Sequence, residues 1–521
     1  MCKYNMRMDI QLMYSLLYSL LVPAIIFLLL LSFIYFHPFF SKHSSSKLSK
    51  EPKQLPESYP LFGCLFSLVQ NRHQAVLWTS ELFQNSSLST ITLKGPFGKK
   101  CVLTRNPSII KHIVKTRFHI YRKDPTMQFI FSDLLGDGLL LVDGEKWKTQ
   151  RHFLSHIFHA DTFRYRVKSA TIKELSGRLI PLFSSATIDK ATLDLQDIFH
   201  RLTFDILCQV GFSHDPEYLL PSLPEKPLID AFETAIKISM GRFTCPSILW
   251  KAKKLLNIGS EENLSYAVDV LREYLKKRIA GKVEKFSIQN TSIDEGGDFL
   301  DRFITRALKC NVVVDEKFVI DTGINFILAG DDTLFSALIW FFWLVSNHPQ
   351  VEQEIVKEIK EKNDDDLNEM VYTHASICES MRLYPPVPLE LKQVTEDDVW
   401  PDGTKLKKGM SIFLHVLAMG RSTELWGSDS ESFRPERWLL KNPSTGNWNF
   451  IPRDPFTYPV FQAGPRTCLG KEIAFMQIKM VAATILKRFR IVPLDGFSPI
   501  YNSSLTSKMK TDFPVRIIQR C

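Results

Sequence analysis

The sequence lacks several patterns that would assign it to a common class of protein. None of its nine cysteines forms a C-x-x-C pair, which excludes the usual zinc spacing. Scattered cysteines favour a reducing compartment over a secreted disulfide framework. The net charge is +9, yet no block of five basic residues and no nucleic-acid motif occurs. We therefore expect no nucleic-acid partner; the excess charge is either a solvated basic surface or an attraction to anionic membrane lipid.

Charge is also missing near the amino terminus, where residues 10–41 contain no Asp, Glu, Lys or Arg. Within this segment, residues 12–36 are about 25 mostly apolar positions, which is long enough to cross a bilayer as a helix. More lysine follows the segment than precedes it, which favours a cytosolic location for the rest of the chain. We expect residues 1–41 to be a single membrane anchor and the Lys/Pro-rich residues 42–60 to be a stiff linker.

The remaining chain, residues 61–521, contains no repeat and no low-complexity tract. Residues 318–347 predict one long helix, whose uncharged part is too short for a second membrane span and favours a buried core helix. Further helices are predicted at 351–361 and 374–383, and strands near 90–102 and 412–416. The predicted fold class is mainly α with a small β region.

One cysteine stands in a context that separates it from the other eight. Residues 461–470 read F-Q-A-G-P-R-T-C-L-G, with Cys468 at the eighth position. The stretch matches F-x-x-G-x-R-x-C-x-G, the haem-binding signature of the cytochrome P450 superfamily. This resemblance implies the cytochrome P450 fold and a haem b whose iron takes its axial thiolate from Cys468. A thiolate ligand pushes electron density onto iron and favours O–O cleavage.

The other residues of this signature have roles that follow from the resemblance. Gly464 and Gly470 would let the backbone approach the porphyrin and direct amide N–H groups at the sulfur. Arg466 would pair with a haem propionate, and Phe461 would limit access of solvent to the sulfur. A helix is expected just after Gly470, and its N-terminus also favours a thiolate.

Two further motifs resemble the parts of this superfamily that hold the haem and brace its surroundings. Trp147 and Arg151 match W-x-x-x-R, and a spacing of four puts both on one helix face, toward the propionates. Glu379 and Arg382 match E-x-x-R on a helix, and Arg437 lies in a P-E-R-W segment. The resemblance implies that these last three residues form a structural cluster.

The long helix contains A-G-D-D-T at residues 329–333, which resembles the oxygen-activation motif A-G-x-D-T. The resemblance implies that Gly330 thins the helix to admit O2 and that Asp332 and Thr333 relay protons. The sequence departs from the pattern with a second acid, Asp331, and with Leu334 where relatives often have a hydroxyl residue. A weakly active or inactive membrane-tethered haem protein therefore stays an alternative.

Further segments, among them Y-P-L-F-G at 59–63 and Y-P-P-V-P at 384–388, resemble the plant fatty-acid ω-hydroxylase branch. That branch includes enzymes that oxidise jasmonoyl-isoleucine. The resemblance implies a monooxygenase of the endoplasmic reticulum membrane that receives electrons from NADPH through NADPH-cytochrome P450 reductase. We expect hydroxylation of a fatty acid at or near its terminal carbon, with jasmonoyl-isoleucine 12-hydroxylation as the alternative.

The same resemblance implies a mainly apolar wall above the haem, which suits a hydrophobic small molecule. Its expected members are Met127, Phe129, Ile130, Phe326, Ala329, Val387, Pro388, Leu389, Leu505 and Thr506. The run L-E-L at 389–391 differs from the polar pattern of the branch and leaves chain length and head group open. Haem proteins that rearrange hydroperoxides without a reductase are disfavoured, because they lack the acid–Thr pair present here.

Overall fold

The computed structural model describes residues 55–280, 282, 297–310, 312–362, 367–444, 446–503 and 505–520. The expected anchor at 1–41 and most of the linker at 42–60 lie outside these residues. Within the described part, one helical stretch, Glu316–Ser346, is long and apolar enough to cross a membrane, but 78% of its apolar window is buried in the protein. This stretch is the buried core helix that the sequence predicts.

Helices dominate the described residues. The first eleven are α1 (Leu65–Gln70), α2 (Ala75–Gln84), α3 (Pro107–Lys111), α4 (Pro125–Leu135), α5 (Gly144–His159), α6 (Asp161–Glu174), α7 (Ile180–Asp189), α8 (Leu195–Phe212), α9 (Pro227–Gly241), α10 (Ser247–Leu256) and α11 (Ser260–Ile279). The others are α12 (Phe299–Lys309), α13 (Glu316–Ile327), α14 (Thr333–Ser346), α15 (Pro349–Glu361), α16 (Val371–Leu383), α17 (Val416–Gly420), α18 (Thr423–Trp426) and α19 (Lys471–Arg488).

The strands are short and form small sheets at the edge of the helical body. They are β1 (Thr90–Lys94), β2 (Lys100–Thr104), β3 (Tyr121–Lys123), β4 (Thr192–Asp194), β5 (Glu390–Val394), β6 (Asp398–Val399), β7 (Lys405–Leu406), β8 (Ser411–Leu414), β9 (Leu439–Lys441), β10 (Trp448–Phe450), β11 (Phe489–Pro493), β12 (Tyr501–Ser503), β13 (Ser507–Met509) and β14 (Pro514–Gln519). The largest sheet has the order β1-β2-β8-β5-β3, and β11-β14-β4 form a second one. The mainly helical class with a small β region is confirmed.

Two elements differ from their predictions in an informative way. The long helix is interrupted by a π-helical turn at Leu328–Asp332, which joins α13 to α14. The strand predicted at 412–416 ends at Leu414, and α17 begins at Val416. The cause is His415, whose Nδ1 accepts a hydrogen bond from the Ala418 N–H at 3.1 Å and caps the new helix.

Helix α14 lies at the centre of the main hydrophobic core and is apolar on nearly all sides, as expected for an enclosed helix. Two of its polar side chains bond to the same backbone oxygen. Ser336 Oγ and Trp340 Nε1 both donate to the Ser507 carbonyl, at 2.6 and 2.8 Å. These two bonds fix the β12–β13 hairpin against the core helix, close to the π-turn.

A pair of leucine substitutions tests this location of the core. Leu300 on α12 is fully buried, whereas Leu255 on α10 is 86% exposed. We expect Leu300→Ala to lower the free energy of unfolding by about 2–5 kcal/mol, because it leaves a cavity in close-packed surroundings. Leu255→Ala should change it by less than about 0.5 kcal/mol. The midpoints of urea unfolding measure both, and equal midpoints would contradict the core described here.

Candidate active site

The π-turn opens a small face on the long core helix. Ala329 is exposed and Thr333 is half-buried, although the helix is otherwise largely enclosed. The Thr333 Oγ1 donates a hydrogen bond to the Ala329 carbonyl at 2.7 Å. Turns of this kind inside α-helices frequently occur at functional sites. Exposed positions in the middle of a core helix indicate that this face borders an internal cavity.

The absence of a side chain at Gly330 has a different structural role from the one that the sequence predicted. A Cβ at this position would lie 2.6 Å from Leu207 Cδ1 on α8. The missing side chain therefore lets α8 approach the π-turn, instead of thinning the cavity side of the helix.

Cys468 lies in the loop that precedes α19. The loop is shaped by Gly464, which has a φ of +69° and where a Cβ would lie 2.1 Å from the Val114 carbonyl oxygen. Only glycine fits such a position without strain. The Cys468 N–H donates to the Phe461 carbonyl at 2.8 Å, and Phe461 packs its ring on Phe475 with centroids 5.1 Å apart. The expected helix after Gly470 is present and begins at Lys471.

Cys468 has solvent-accessible surface, although its thiol is surrounded by the protein on most sides. Burial raises the pKa of Cys468, while the N–H groups of Gly470 and Lys471 and the charge of Arg151 act in the opposite direction. A thiol that is both accessible and enclosed must face a cavity. Opposing N–H dipoles and a nearby guanidinium are the surroundings that a metal-bound thiolate needs.

Two arginines and a tryptophan border the same loop. Arg151 Nη2 donates to the Thr467 carbonyl at 2.5 Å, next to the cysteine. Arg466 pairs with Asp143 and lies over the Trp147 ring, with its guanidinium carbon 4.5 Å from the ring centroid. Burial lowers the pKa of both arginines. The structure therefore brings Trp147, Arg151 and Arg466 together with Cys468.

Three further charged residues lie beside Arg466, although no sequence motif assigned them to the site. They are Lys123, Lys392 and Glu390. Glu390 Oε1 lies 2.8 Å from Lys392 Nζ and 3.7 Å from Lys123 Nζ. Burial acts to raise the pKa of Glu390, but the two ammonium groups outweigh it and lower that pKa to about 2. The spacing E-x-K in a strand puts both side chains on one face, which is the signal that could have identified them.

The charges in this region do not balance, and the excess fits haem. Four cations (Lys123, Arg151, Lys392 and Arg466) face two carboxylates (Asp143 and Glu390), which leaves two positive charges. Buried charges are costly unless they are paired. Haem b carries two propionates, so its carboxylates would complete the pairing while its iron meets Cys468. The donor set present therefore fits a haem with a thiolate ligand.

The predicted Glu–Arg–Arg group is assembled behind this loop. Arg382 donates to both oxygens of Glu379, at 2.7 and 2.8 Å, and Arg437 Nε donates to Glu379 Oε1 at 3.1 Å. Trp438 Nε1 and the Arg434 N–H also donate to Glu379, at 2.9 and 3.0 Å. Glu379 and Arg382 are fully enclosed, so the group bonds α16 to the 435–438 turn and makes no contact with the cavity.

The two acids of the π-turn point away from Thr333. Both oxygens of Asp332 are occupied, one by the Thr506 hydroxyl at 2.6 Å and the other by Lys508 Nζ at 2.6 Å. Asp331 is also fully buried and accepts from the Thr203 hydroxyl at 2.6 Å. The structure therefore separates the Asp332 carboxylate from the Thr333 hydroxyl, which the sequence had paired.

The expected apolar wall divides into two groups. Met127, Val387, Leu389 and Leu505 are half-buried and Ala329 is exposed, as a cavity wall requires. Ile130 and Pro388 are buried in the core, and the Thr506 hydroxyl donates to Asp332. The Phe129 ring packs on Trp250 with centroids 4.8 Å apart, and the Phe326 ring packs on Phe299 with centroids 3.9 Å apart. Phe326 is half-buried like the first group, and the assignment of these residues to the substrate wall stays a prediction.

A single lysine tests the charge balance. Lys123→Met removes one of the four cations and leaves Glu390 paired with Lys392. We expect haem to leave the protein about tenfold faster, since a charge-assisted hydrogen bond contributes about 1.5–3 kcal/mol. The rate of haem transfer to an excess of haem-free globin measures this. The matched control is Lys100→Met, an exposed lysine of the same sheet, and equal rates for the two variants would contradict the charge balance.

Comparison with known proteins agrees with this geometry. The family model for cytochrome P450 matches residues 53–514. Cytochrome P450 94A2 of Vicia sativa is 45% identical over 508 residues, which cover 95% of this chain and 98% of the relative. Cytochrome P450 94A1 of the same plant is 46% identical, covering 89% and 91% of the two chains, and cytochrome P450 94B3 of Arabidopsis thaliana is 37% identical, covering 95% and 97%. A match of this extent, on a chain whose enclosed cysteine and surplus cations fit haem, shows that the protein belongs to the cytochrome P450 family.

Proposed function

We propose that this cytochrome P450 monooxygenase hydroxylates a fatty acid at or near its terminal carbon. The observation behind this proposal is the apolar character of the predicted wall, whose members Met127, Val387, Leu389 and Leu505 are half-buried and whose member Ala329 is exposed. Such a wall binds an alkyl chain by excluding water from it, at about 25 cal/mol for each Å² of apolar surface buried. The chain end that lies nearest Ala329 and Thr333 is then the part presented for oxidation.

The L-E-L run supports an apolar wall in spite of its central acid. Leu389 is half-buried at the cavity side, whereas Glu390 turns inward and is paired with Lys392 and Lys123. The acid is therefore engaged by lysines and is not available to repel the carboxylate of a fatty acid. Its substitution for the polar pattern of the branch does not argue against an anionic lipid substrate.

The roles of the remaining residues follow from their positions. Bound haem supplies the activation of O2 and the insertion of one oxygen atom, with electrons that a reductase draws from NADPH. Cys468 would ligate the haem iron, and the N–H groups of Gly470 and Lys471 would stabilise its thiolate. Trp147, Arg151 and Arg466 orient the propionates. Thr333 holds a proton at its Oγ1 beside the cavity, and Asp332 would resupply it only after leaving its partners Thr506 and Lys508.

The proposed arrangement of the chain includes the membrane. Residues 1–41 anchor the chain in the endoplasmic reticulum membrane, residues 42–60 link the anchor to the body, and residues 61–521 form the cytosolic catalytic domain. NADPH-cytochrome P450 reductase is the electron donor in this arrangement. A fatty substrate would reach the cavity from the lipid phase, where such molecules concentrate.

Turnover by the full-length chain tests the substrate class. The chain is incubated in membranes with the reductase, NADPH and fatty acids of twelve to eighteen carbons, and in parallel with jasmonoyl-isoleucine. We expect mass spectrometry to find a product with one added oxygen at or near the terminal carbon of a fatty acid, and none when NADPH is omitted. Oxidation of jasmonoyl-isoleucine alone would favour the alternative, and no product from any of these compounds would contradict both.

A further inference from the structure

A cluster of buried charges joins the π-turn to the surface of the molecule. Asp331 and Asp332 form its inner end, with side chains that are 0% and 1% exposed, and Glu233 on α9 forms its outer end at 43%. Two basic residues lie between these ends. His200 Nε2 is 3.0 Å from Asp331 Oδ2 and its Nδ1 is 3.5 Å from Glu233 Oε1. Lys508 Nζ is 2.6 Å from Asp332 Oδ1 and 3.4 Å from Glu233 Oε1.

Asp332 is held in a state in which it cannot serve Thr333. One oxygen accepts a hydrogen bond from the Thr506 hydroxyl, and the other forms an ion pair with the Lys508 ammonium. The Thr333 hydroxyl meanwhile donates to Ala329. For Asp332 to resupply Thr333, it must take up a proton and release Lys508, because a neutral carboxyl no longer holds the ion pair.

Lys508 has a second acceptor at hand. Burial acts to lower the pKa of Lys508, but Asp332 and Glu233 outweigh it and raise that pKa, so the side chain stays an ammonium group. When Asp332 becomes neutral, Glu233 can take the charge at a distance that is already 3.4 Å. The exchange leaves no unpaired buried cation, which would otherwise oppose it.

The residues that hold Asp332 also border the substrate wall. Thr506 follows directly after Leu505, a half-buried member of that wall, and Lys508 is two residues further along the same hairpin. The Ser507 carbonyl between them is fixed to the core helix by Ser336 and Trp340. Because Thr506 is the chain neighbour of Leu505 and the Ser507 carbonyl is fixed, displacement of Leu505 by a substrate would bear directly on the Thr506 hydrogen bond to Asp332.

We propose that the β12–β13 hairpin couples substrate binding to proton delivery. Thr506 and Lys508 are positioning residues that hold Asp332 as a carboxylate until substrate reaches Leu505, and Glu233 is the alternative partner of Lys508. On release, Asp332 takes one proton from water, passes one to Thr333 Oγ1, and returns as a carboxylate to Lys508; no electron moves among these groups. This coupling rests on the proposed function only in that Leu505 belongs to the substrate wall.

The fate of oxygen without substrate gives a direct test. Reduction of O2 by two electrons and two protons yields H2O2, whereas four electrons and four protons yield two water molecules. Restricted proton delivery favours H2O2, and free delivery favours water. The full-length chain with reductase and NADPH, and with no substrate, therefore reports the state of Asp332 through the moles of H2O2 formed for each mole of NADPH consumed.

We expect the wild-type chain to release most of its reduced oxygen as H2O2. Lys508→Met frees Asp332, and the ratio of water formed to H2O2 formed should rise about tenfold, in line with the loss of one charge-assisted hydrogen bond. Thr506→Val should shift the ratio in the same direction, and Lys508→Arg should restore the wild-type value. The matched controls are Lys510→Met and Thr511→Val, both exposed residues near the hairpin, which should leave the ratio unchanged.

The variants together decide whether the hairpin controls Asp332. An unchanged ratio in both Lys508→Met and Thr506→Val, with the CO-difference spectrum and thermal midpoint of the wild type, would overturn the proposal, and so would an equal shift in the Lys510→Met control. If Lys508→Met fails to retain haem, the ratio in Thr506→Val alone decides, because that substitution removes only a hydroxyl. No substrate is present, so the result does not depend on whether a fatty acid is turned over.

Discussion

The Cys468 sulfur has to carry a negative charge inside the protein body, and the arrangement of the surrounding residues follows from that requirement. Burial by itself raises the pKa of the thiol, which would keep it neutral. The N–H groups at the start of α19 and the Arg151 guanidinium oppose this effect, and a bound metal completes the deprotonation. The same guanidinium belongs to a set of cations with two surplus charges, which the haem propionates would neutralise. Ligand and propionate sites thus depend on one another through Arg151.

The sequence could predict the parts of this site that lie close together along the chain. Cys468, Gly464 and Arg466 share one decapeptide, and Trp147 with Arg151, or Glu379 with Arg382, share one helical turn, so spacing alone puts each pair on one face. Lys123 and Lys392 were missed because they meet only through the pairing of β3 with β5, which joins residues that are far apart in sequence. The long helix was predicted with nearly correct ends, but the π-turn within it was not. In the structure Gly330 faces Leu207 and the Phe326 ring stacks on Phe299.

Asp331, the second acid of the long helix, departs from the motif, and its position in the fold explains its role. In the sequence, Asp331 is a second acid beside Asp332. In the fold it is buried against α8, with Thr203 and His200 as partners, and so stabilises the π-turn from the side opposite the cavity. Leu334 is likewise buried in the core and leaves the Thr333 face unchanged. Neither departure removes the acid or the hydroxyl that oxygen chemistry requires, which argues against an inactive protein.

Ligation of haem iron by the Cys468 thiolate can be read from the CO-difference spectrum of the reduced protein, recorded for the wild type, Cys468→Ser and Cys310→Ser. Cys310 is an exposed cysteine outside the site and serves as the matched control. We expect the strongly red-shifted band of thiolate-ligated haem in the wild type and in Cys310→Ser, and its loss in Cys468→Ser. Retention of that band in Cys468→Ser, or its absence from a haem-loaded wild-type protein, would contradict the assignment of Cys468 as the ligand.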